Sequence, residues 1–434
     1  MAMAFGASRP VASSCRSMIP VITPRSHFRS LYSSVTSPRI GFRFDNRMRS
    51  NRQRHACHTV RISISVRYYS SSNYGREKKT LPPDQQASYD RLRPIIDIFE
   101  APIDWAVAYG SGVMKQAQVK PGDPPSLTDL LLSTPSPIDF HTLNLRQNPS
   151  HYPLHARKMG AKGIAHVQER WGAGVWYVTD VKINDISVKY GIISTPSLIT
   201  DLAQWRTFYL SGRLHKPTLS LIHPSTPKLQ EALDTNLQSA LSLALLLIRE
   251  ESFTEDELWE KIAGLSYSGD PRMGIPGGEN PQKIRNIVRG PGAREGFRDM
   301  YGRYLEEKGL RWVEGEKNVE GEVWTGDGEG LLCKPTSLEY HIELFSSLPT
   351  NLRQSVFKHF EPRQDIGTSE KEALKQVVQD TKFNSIISTE LRNIIRTSAL
   401  RQSVKGLFTA GFTKSFWYAL AKFRKWLKGR EGGR

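Results

Sequence analysis

The stretch AVAYGSGVMKQAQ, residues 106–118, runs an apolar strand-like segment into the turn Tyr109-Gly110-Ser111-Gly112. Glycines expose backbone N–H groups, so a small-residue turn at a strand end lets the chain approach a phosphate closely. The turn is not a P-loop, because no Gly-Lys-Ser/Thr follows at the required spacing, and it lacks the third glycine of a dinucleotide fingerprint. Taken alone, it fits an ordinary strand-to-helix turn equally well.

The charge of the chain has to be located before it is used. The 434 residues carry a formal net charge of +17, but residues 1–69 hold 12 Arg, no Lys and one acid (Asp45), and residues 401–434 hold nine Lys/Arg against Glu431. The stretch 70–400 is left near neutrality at −2, with no basic excess to attract a nucleic acid. The first end is Arg- and Ser-rich, nearly acid-free and without the apolar core of a secretory signal, which is the composition of a mitochondrial transit peptide. A disordered basic tail is the alternative. SVRYYSSSNY resembles a matrix-processing site cut between Tyr69 and Ser70. Cys15 and Cys57 would leave with that presequence, and a lone Cys333 supports neither an internal disulfide nor a cysteine-based zinc site.

Along the chain the pattern predicts an α+β protein. After the presequence (1–69) and a polar linker (70–90), short apolar runs bounded by Gly, Pro and Asp alternate with helical segments over 91–225, as in a mixed-sheet domain. Leu198, Leu202, Trp205 and Tyr209 have helical spacing, which predicts a helix ended by Gly212. From 226 to 306 the chain turns helical. Leu241–Ile248 is too short to cross a bilayer and is interrupted by Ser242, so it predicts a buried helix, and Thr254 with Glu257 forms a capping box. Residues 307–338 are glycine-rich and charged, a polar insertion, and 339–434 form a last helical region.

Asp129 lies inside the apolar strand SLTDLLLST, 17 residues after Gly112. In nucleotidyltransferase folds a Gly-Ser turn at one strand end holds the triphosphate while a carboxylate on the next strand holds Mg²⁺, whose natural ligands are hard oxygens. Such folds usually show Asp-x-Asp/Glu. Here Leu131 stands at the second position, which leaves Asp139 and Asp185 as candidate helpers or, equally, as cap and turn residues.

Six stretches then carry a resemblance: YGSGVMKQ (109–116), HTLNLRQNPSHY (141–152), KYGIIS (189–194), LAQWRTFYLSGRLHKP (202–217), ESFTEDELWEKIAGLSYSGDPRMG (251–274) and NPQKIRNIV (280–288). Together and in this order they resemble the mitochondrial phosphatidate cytidylyltransferase family, the mitochondrial CDP-diacylglycerol synthases also called translocator assembly and maintenance proteins. The resemblance implies a nucleotidyltransferase-like domain, a smaller winged-helix-like domain and a helical C-terminal region. It also implies a matrix-side peripheral enzyme of the inner membrane that joins CTP and phosphatidic acid, with Mg²⁺, to give CDP-diacylglycerol and pyrophosphate for cardiolipin synthesis. A phosphatidate phosphate is already an anion at neutral pH, so such a site needs positioning and charge neutralisation rather than a strong base.

Carried over residue by residue, the resemblance assigns the CTP phosphates to Gly110, Ser111 and Gly112, and the catalytic Mg²⁺ to Asp129. Lys189 is expected to act on the triphosphate, with Tyr190 beside it; an ordinary surface lysine is the alternative. His141 and Asn144, part of a polar stripe with Asn148, His151 and Tyr152, are expected to line the nucleotide pocket; a solvated helix face is the alternative. Arg213 and Lys216 of SGRLHKP, with Arg272 and Lys283, are expected to meet the phosphatidate phosphate; for the last two, a surface loop is the alternative. At the C-terminus Phe412, Phe416, Leu420, Phe423 and Leu427 recur at steps of three or four among Lys and Arg, the profile of a helix lying on an anionic bilayer, where an anionic lipid surface is the partner; a helix packed on its own domain is the alternative. Two other functions stay open on the residues alone: a nucleotidyltransferase acting on another phosphate substrate, and a non-catalytic mitochondrial assembly factor.

Overall fold

The computed structural model describes residues 81–113, 127–270, 282–313, 330–360 and 370–410. In chain order these contain α1 (Pro83–Ile96), β1 (Trp105–Tyr109), β2 (Thr128–Thr134), α2 (Pro137–Gln147), α3 (Leu154–Arg170), β3 (Val175–Ile183), β4 (Ile186–Ser194), α4 (Thr195–Gln204), β5 (Leu219–Ile222) and α5 (Pro227–Leu247). There follow β6 (Ser252–Thr254), α6 (Glu255–Leu265), α7 (Lys283–Val288), α8 (Ala293–Glu307), β7 (Arg311–Trp312), β8 (Leu331–Cys333), α9 (Leu338–Ser346), α10 (Thr350–Phe357), α11 (Glu370–Gln379) and α12 (Phe383–Ala410). The protein is mixed α and β, as its sequence predicts.

Five strands form one sheet in the order β3-β4-β2-β1-β5, in which β2 and β4 are parallel and the other neighbours antiparallel. Pleating sends alternate side chains to opposite faces. Ala106, Ala108, Leu130, Leu132, Trp176, Tyr190 and Ile192 pack against α1, α2 and α3, while Val107, Leu131, Val175, Tyr177 and Ile193 pack against α4 and the first turns of α5. Both faces are therefore covered, and chemistry on this sheet is confined to strand ends and the loops beyond them.

The second half of α5 leaves the sheet and enters a separate helical core with α6, α8, α9, α10 and α12. Trp259 stacks on Phe297 there at 5.4 Å, and Leu241–Leu246 are buried as their apolar run predicts. The capping box is present: Thr254 Oγ1 accepts from the Glu257 amide and the Glu257 carboxylate accepts from the Thr254 amide. A small antiparallel sheet, β6-β8-β7, accompanies these helices. The ends of the 307–338 segment thus supply two strands, and its middle, 314–329, lies outside the described residues. One core joins segments from 226–306 with α9, α10 and α12, so they are packed together rather than in separate clusters.

Two local expectations change. Part of the 70–90 linker is helical, because Pro83 at the first helical position and Asp84 in the first turn favour a start there. The predicted 197–212 helix stops at Gln204, where Trp205 takes a left-handed conformation (φ 51°).

Candidate active site

The Gly-Ser-Gly turn sits where β1 ends. Gly110 is left-handed (φ 81°), and the Val113 amide donates to its carbonyl at 3.1 Å, closing the turn. A Cβ at Gly112 would lie 2.7 Å from the Leu127 carbonyl oxygen and 3.0 Å from Thr128 Cα, so this glycine lets the turn rest against the backbone entering β2. A Cβ at Gly110 would meet Oδ2 of Asp129 at 3.4 Å. Turn and carboxylate are neighbours because Tyr109 pairs with Asp129 in the β1–β2 register, and Ser111 is exposed at the tip.

On its other side Asp129 pairs with Lys189 of β4, whose Nζ is 2.7 Å from Oδ1. The same ammonium lies 4.7 Å from the centre of the Tyr177 ring. Burial works against the Lys189 charge, but Asp129 and Tyr177 outweigh it and hold its pKa above the ordinary lysine value. Arg213 stacks over the Tyr209 ring at 3.8 Å and donates to the Tyr209 carbonyl. Burial works against its charge as well, and the Tyr209 ring face and the Asp129 carboxylate hold it. Burial and then Asp129 push the Tyr109 phenol above its ordinary range, so it stays neutral. One carboxylate against two cations leaves a net positive site suited to a polyanion.

Arg213 arrives on an irregular loop fixed by Asp201 near the end of α4. Oδ1 of Asp201 accepts from the Thr207 amide (2.7 Å), Thr207 Oγ1 (2.8 Å) and the Phe208 amide (3.2 Å), and Oδ2 from the Ser211 amide (3.3 Å) and Ser211 Oγ (3.2 Å). Asn236 of α5 braces the loop from behind: its Oδ1 accepts from Trp205 Nε1 (2.8 Å) and His215 Nε2 (3.0 Å), and its Nδ2 donates to the Ser211 carbonyl (3.1 Å). Further on, Lys216 Nζ donates to the Gly212 carbonyl and to Ser266 Oγ, both at 2.7 Å. Lys216 and Lys283 face one ring, that of Tyr267, at 5.3 and 5.7 Å. Burial, then Arg213 and Lys283, push the Lys216 pKa down to about 7. The structure thus brings Lys216 to Lys283, while Arg272 lies outside the described residues, as do Phe412, Phe416, Leu420, Phe423 and Leu427.

His141, Asn144 and Tyr190 are placed elsewhere. Tyr190 follows Lys189 in β4 and therefore points to the opposite face of the sheet, where all three are buried. Asn144 Nδ2 donates to the hydroxyls of Tyr152 (2.9 Å) and Tyr190 (3.0 Å), and its Oδ1 accepts from Asn148 (2.9 Å). With His141 Nε2 donating to Gln168 Oε1 (2.9 Å), its Nδ1 accepts from Tyr152 (2.8 Å), and His151 Nδ1 accepts from Tyr190 (2.8 Å). Every polar atom of His141 and Asn144 is used internally, so the stripe is neither a nucleotide lining on the Asp129 face nor a solvated one. It anchors β4 through Tyr190.

Asp139 is exposed in the first turn of α2, and Asp185 occupies the left-handed hairpin turn between β3 and β4 (φ 61°). No group of three or more His, Cys, Asp or Glu that could hold a metal ion occurs among the described residues. The sequence reading missed Tyr177, Tyr209, Asp201 and Asn236. Tyr177 left one trace: a Cβ at Gly191, its cross-strand partner, would come within 2.7 Å of the Tyr177 ring, and a glycine inside an apolar strand marks such a close approach.

A mixed sheet that sets a glycine turn beside a strand carboxylate, with cations at the same edge, fits the class of enzymes that transfer nucleotidyl groups. Residues 92–425 match the family described as mitochondrial phosphatidate cytidylyltransferase. The chain is 36% identical over 356 residues to the mitochondrial phosphatidate cytidylyltransferase of Xenopus laevis, covering 81% of this chain and 99% of that protein. With the proteins of the same name from Mus musculus and Schizosaccharomyces pombe the identities are 36% over 341 residues (78% and 95% covered) and 33% over 359 (82% and 88%). The chain belongs to the mitochondrial phosphatidate cytidylyltransferase family.

Proposed function

We propose that this chain transfers the cytidylyl group of CTP to phosphatidic acid, giving CDP-diacylglycerol and pyrophosphate, at the edge formed by the glycine turn, Asp129, Lys189 and Arg213. The observation that carries the reading is the register that holds Asp129 between Tyr109, next to the turn, and Lys189. A phosphate oxygen of phosphatidate forms the new bond to the α-phosphorus of CTP, the bond from that phosphorus to the bridging oxygen breaks, and pyrophosphate leaves with the electron pair. No proton has to be removed from the attacking anion. The turn amides and Ser111 are assigned to the triphosphate, and Lys189 and Arg213 to the charge shared by the entering and leaving phosphates.

Mg²⁺ fits this donor set in its minimal form. It commonly takes one or two carboxylates and completes its shell with substrate phosphates and water, and Asp129 keeps Oδ2 toward the turn while Oδ1 engages Lys189. Asp129 would hold the ion, which when bound offsets charge on the phosphate oxygens. Lys216 and Lys283, converging on Tyr267, are assigned to the phosphatidate headgroup, together with Arg272.

We further propose action on the matrix side of the mitochondrial inner membrane, in the supply of CDP-diacylglycerol for cardiolipin, after removal of residues 1–69. No helix among the described residues is long and apolar enough to cross a membrane. A peripheral contact is supported by the aromatic and basic residues after 410 and by the exposed Leu400, Val404 and Leu407 of α12, with exposed Trp171 beside Phe408 of the same helix. Incubating residues 70–434 with labelled CTP, Mg²⁺ and phosphatidic acid in vesicles tests the activity. Label in the lipid fraction with stoichiometric pyrophosphate is expected, and its absence from folded protein would favour an assembly factor.

A further inference from the structure

We infer that Asp201 is a positioning residue for nucleotidyl transfer, its carboxylate holding the 205–213 loop so that Arg213 reaches the Asp129–Lys189 edge. The inference rests on the proposal that this edge is the reaction site. Asp201 is 2% exposed, and the partners given above for its two oxygens are three amides and two hydroxyls rather than a cation. A buried carboxylate is expensive unless its lone pairs are filled, and ending a helix does not require one, since a glycine or asparagine after the last turn suffices. The charge must therefore serve the loop beyond the helix.

That loop is strained. Trp205 (φ 51°) and Phe208 (φ 56°) are both left-handed without being glycine, a conformation that bulky side chains adopt only when their surroundings impose it. Both rings are buried in the helical core, and they meet edge to face at 4.7 Å. The intervening turn sends Tyr209 the other way, to 6.5 Å from Tyr177 on the sheet, and Arg213 lies over it. The loop is thus a bracket with two rings wedged among helices and one stacked cation presented to the strand ends, and Asp201 ties its middle at Thr207, Phe208 and Ser211. Its amide isostere would keep the shape but lose acceptor strength on one side, and the bracket would relax from its strained form.

A double-mutant cycle separates positioning from mere stability. Asp201→Asn is expected to lower kcat roughly 10- to 100-fold, the scale of a misplaced catalytic group, and Arg213→Met comparably. If Asp201 acts through Arg213, the double variant falls little below Arg213→Met alone. Multiplicative losses, or an Asp201→Asn enzyme as active per folded molecule as its parent, would overturn the inference. Should Asp201→Asn fail to fold, Ser211→Ala keeps the carboxylate while removing one donor; a smaller loss, again absent on the Arg213→Met background, is expected, and no loss overturns the inference. The cycle is also read as the rise in melting temperature that CTP induces. A wrong lipid acceptor silences turnover and leaves this second readout intact, whereas no CTP response in the unsubstituted chain overturns the site itself.

Discussion

Asp129 and Lys189 stand opposite each other across the parallel β2–β4 ladder, with Lys189 Nζ 2.7 Å from Oδ1 of the carboxylate. Each is about one quarter exposed, so the pair is screened by water yet held by two strands. Asp129→Asn is expected to abolish cytidylyl transfer while lowering stability by only about 1 kcal/mol, the scale of a partly exposed pair. Asp129→Asn combined with Lys189→Met should recover most of that stability and none of the turnover. Melting curves and incorporation of labelled CTP into lipid check both, and an active Asp129→Asn enzyme would remove the carboxylate from the chemistry.

Gly112 has a stricter duty than leaving room for a phosphate. Its missing side chain points at the Leu127 carbonyl, which cannot move without shifting β2 and Asp129 with it. Gly112→Ala is expected to cost about 1–3 kcal/mol through overpacking and to reduce turnover more than Ser111→Ala, which removes a single hydroxyl. Equal and negligible effects on kcat would show the turn to be an ordinary connection.

Burial pushes the pKa of His141 down to about 4 and that of His215 to about 3, against 6.5 for a free imidazole. The unfolded chain therefore takes up these protons first. The stability they hold is present above pH 6.5 and is lost as pH falls toward 4. A melting temperature that declines as pH falls from 6.5 toward 4 is expected. His215→Asn should make that decline shallower, even if its stability at pH 7.5 is lower. An unchanged slope would mean that other groups set the acid limit.

The boundary of a membrane-anchor truncation follows from α12. The Phe408 ring contacts those of His155 at 4.8 Å and Trp171 at 5.9 Å, and Lys405 Nζ donates to the carbonyls of Gln168 (2.9 Å) and Trp171 (2.8 Å). A cut at 408 would remove a packed ring, whereas ending the chain at Ala410 spares it. Deleting 411–434 is expected to reduce co-sedimentation with anionic vesicles several-fold and to leave CTP-induced stabilisation intact. Undiminished vesicle binding would place the membrane contact elsewhere.

What the sequence made legible was local. The strand leading into Gly110, the strand around Asp129, the Thr254–Glu257 cap and the apolar run of α5 each follow from spacing within a dozen residues. The failures were distant. Trp205 and Tyr209 continued a helical period, but Trp205 turns left-handed and Asp201 gathers the amides of the loop that follows. The polar stripe from His141 to Tyr152 reads alike whether it faces water or other polar groups, and its partners Tyr190 and Gln168 are far along the chain. Arg213 joined Asp129 only once the loop had folded back, an arrangement that no periodicity encodes.

The long helix α12, the last among the described residues, also sets an order of events. α12 contributes Phe383, Ile387, Leu391 and Ile395 to the helical core, then Gln402 accepts from the Ala173 amide, 229 residues earlier in sequence. Closing so large a loop is entropically slow, and contacts of this separation form late. A chain that emerges N-terminus first would build its sheet with the end of α3 and the start of β3 still unclasped, and would tighten only when α12 arrived. Catalytic competence would then report that α12 had been delivered, and fragments stopped before Gln402 would be recognisable by protease sensitivity around 168–173.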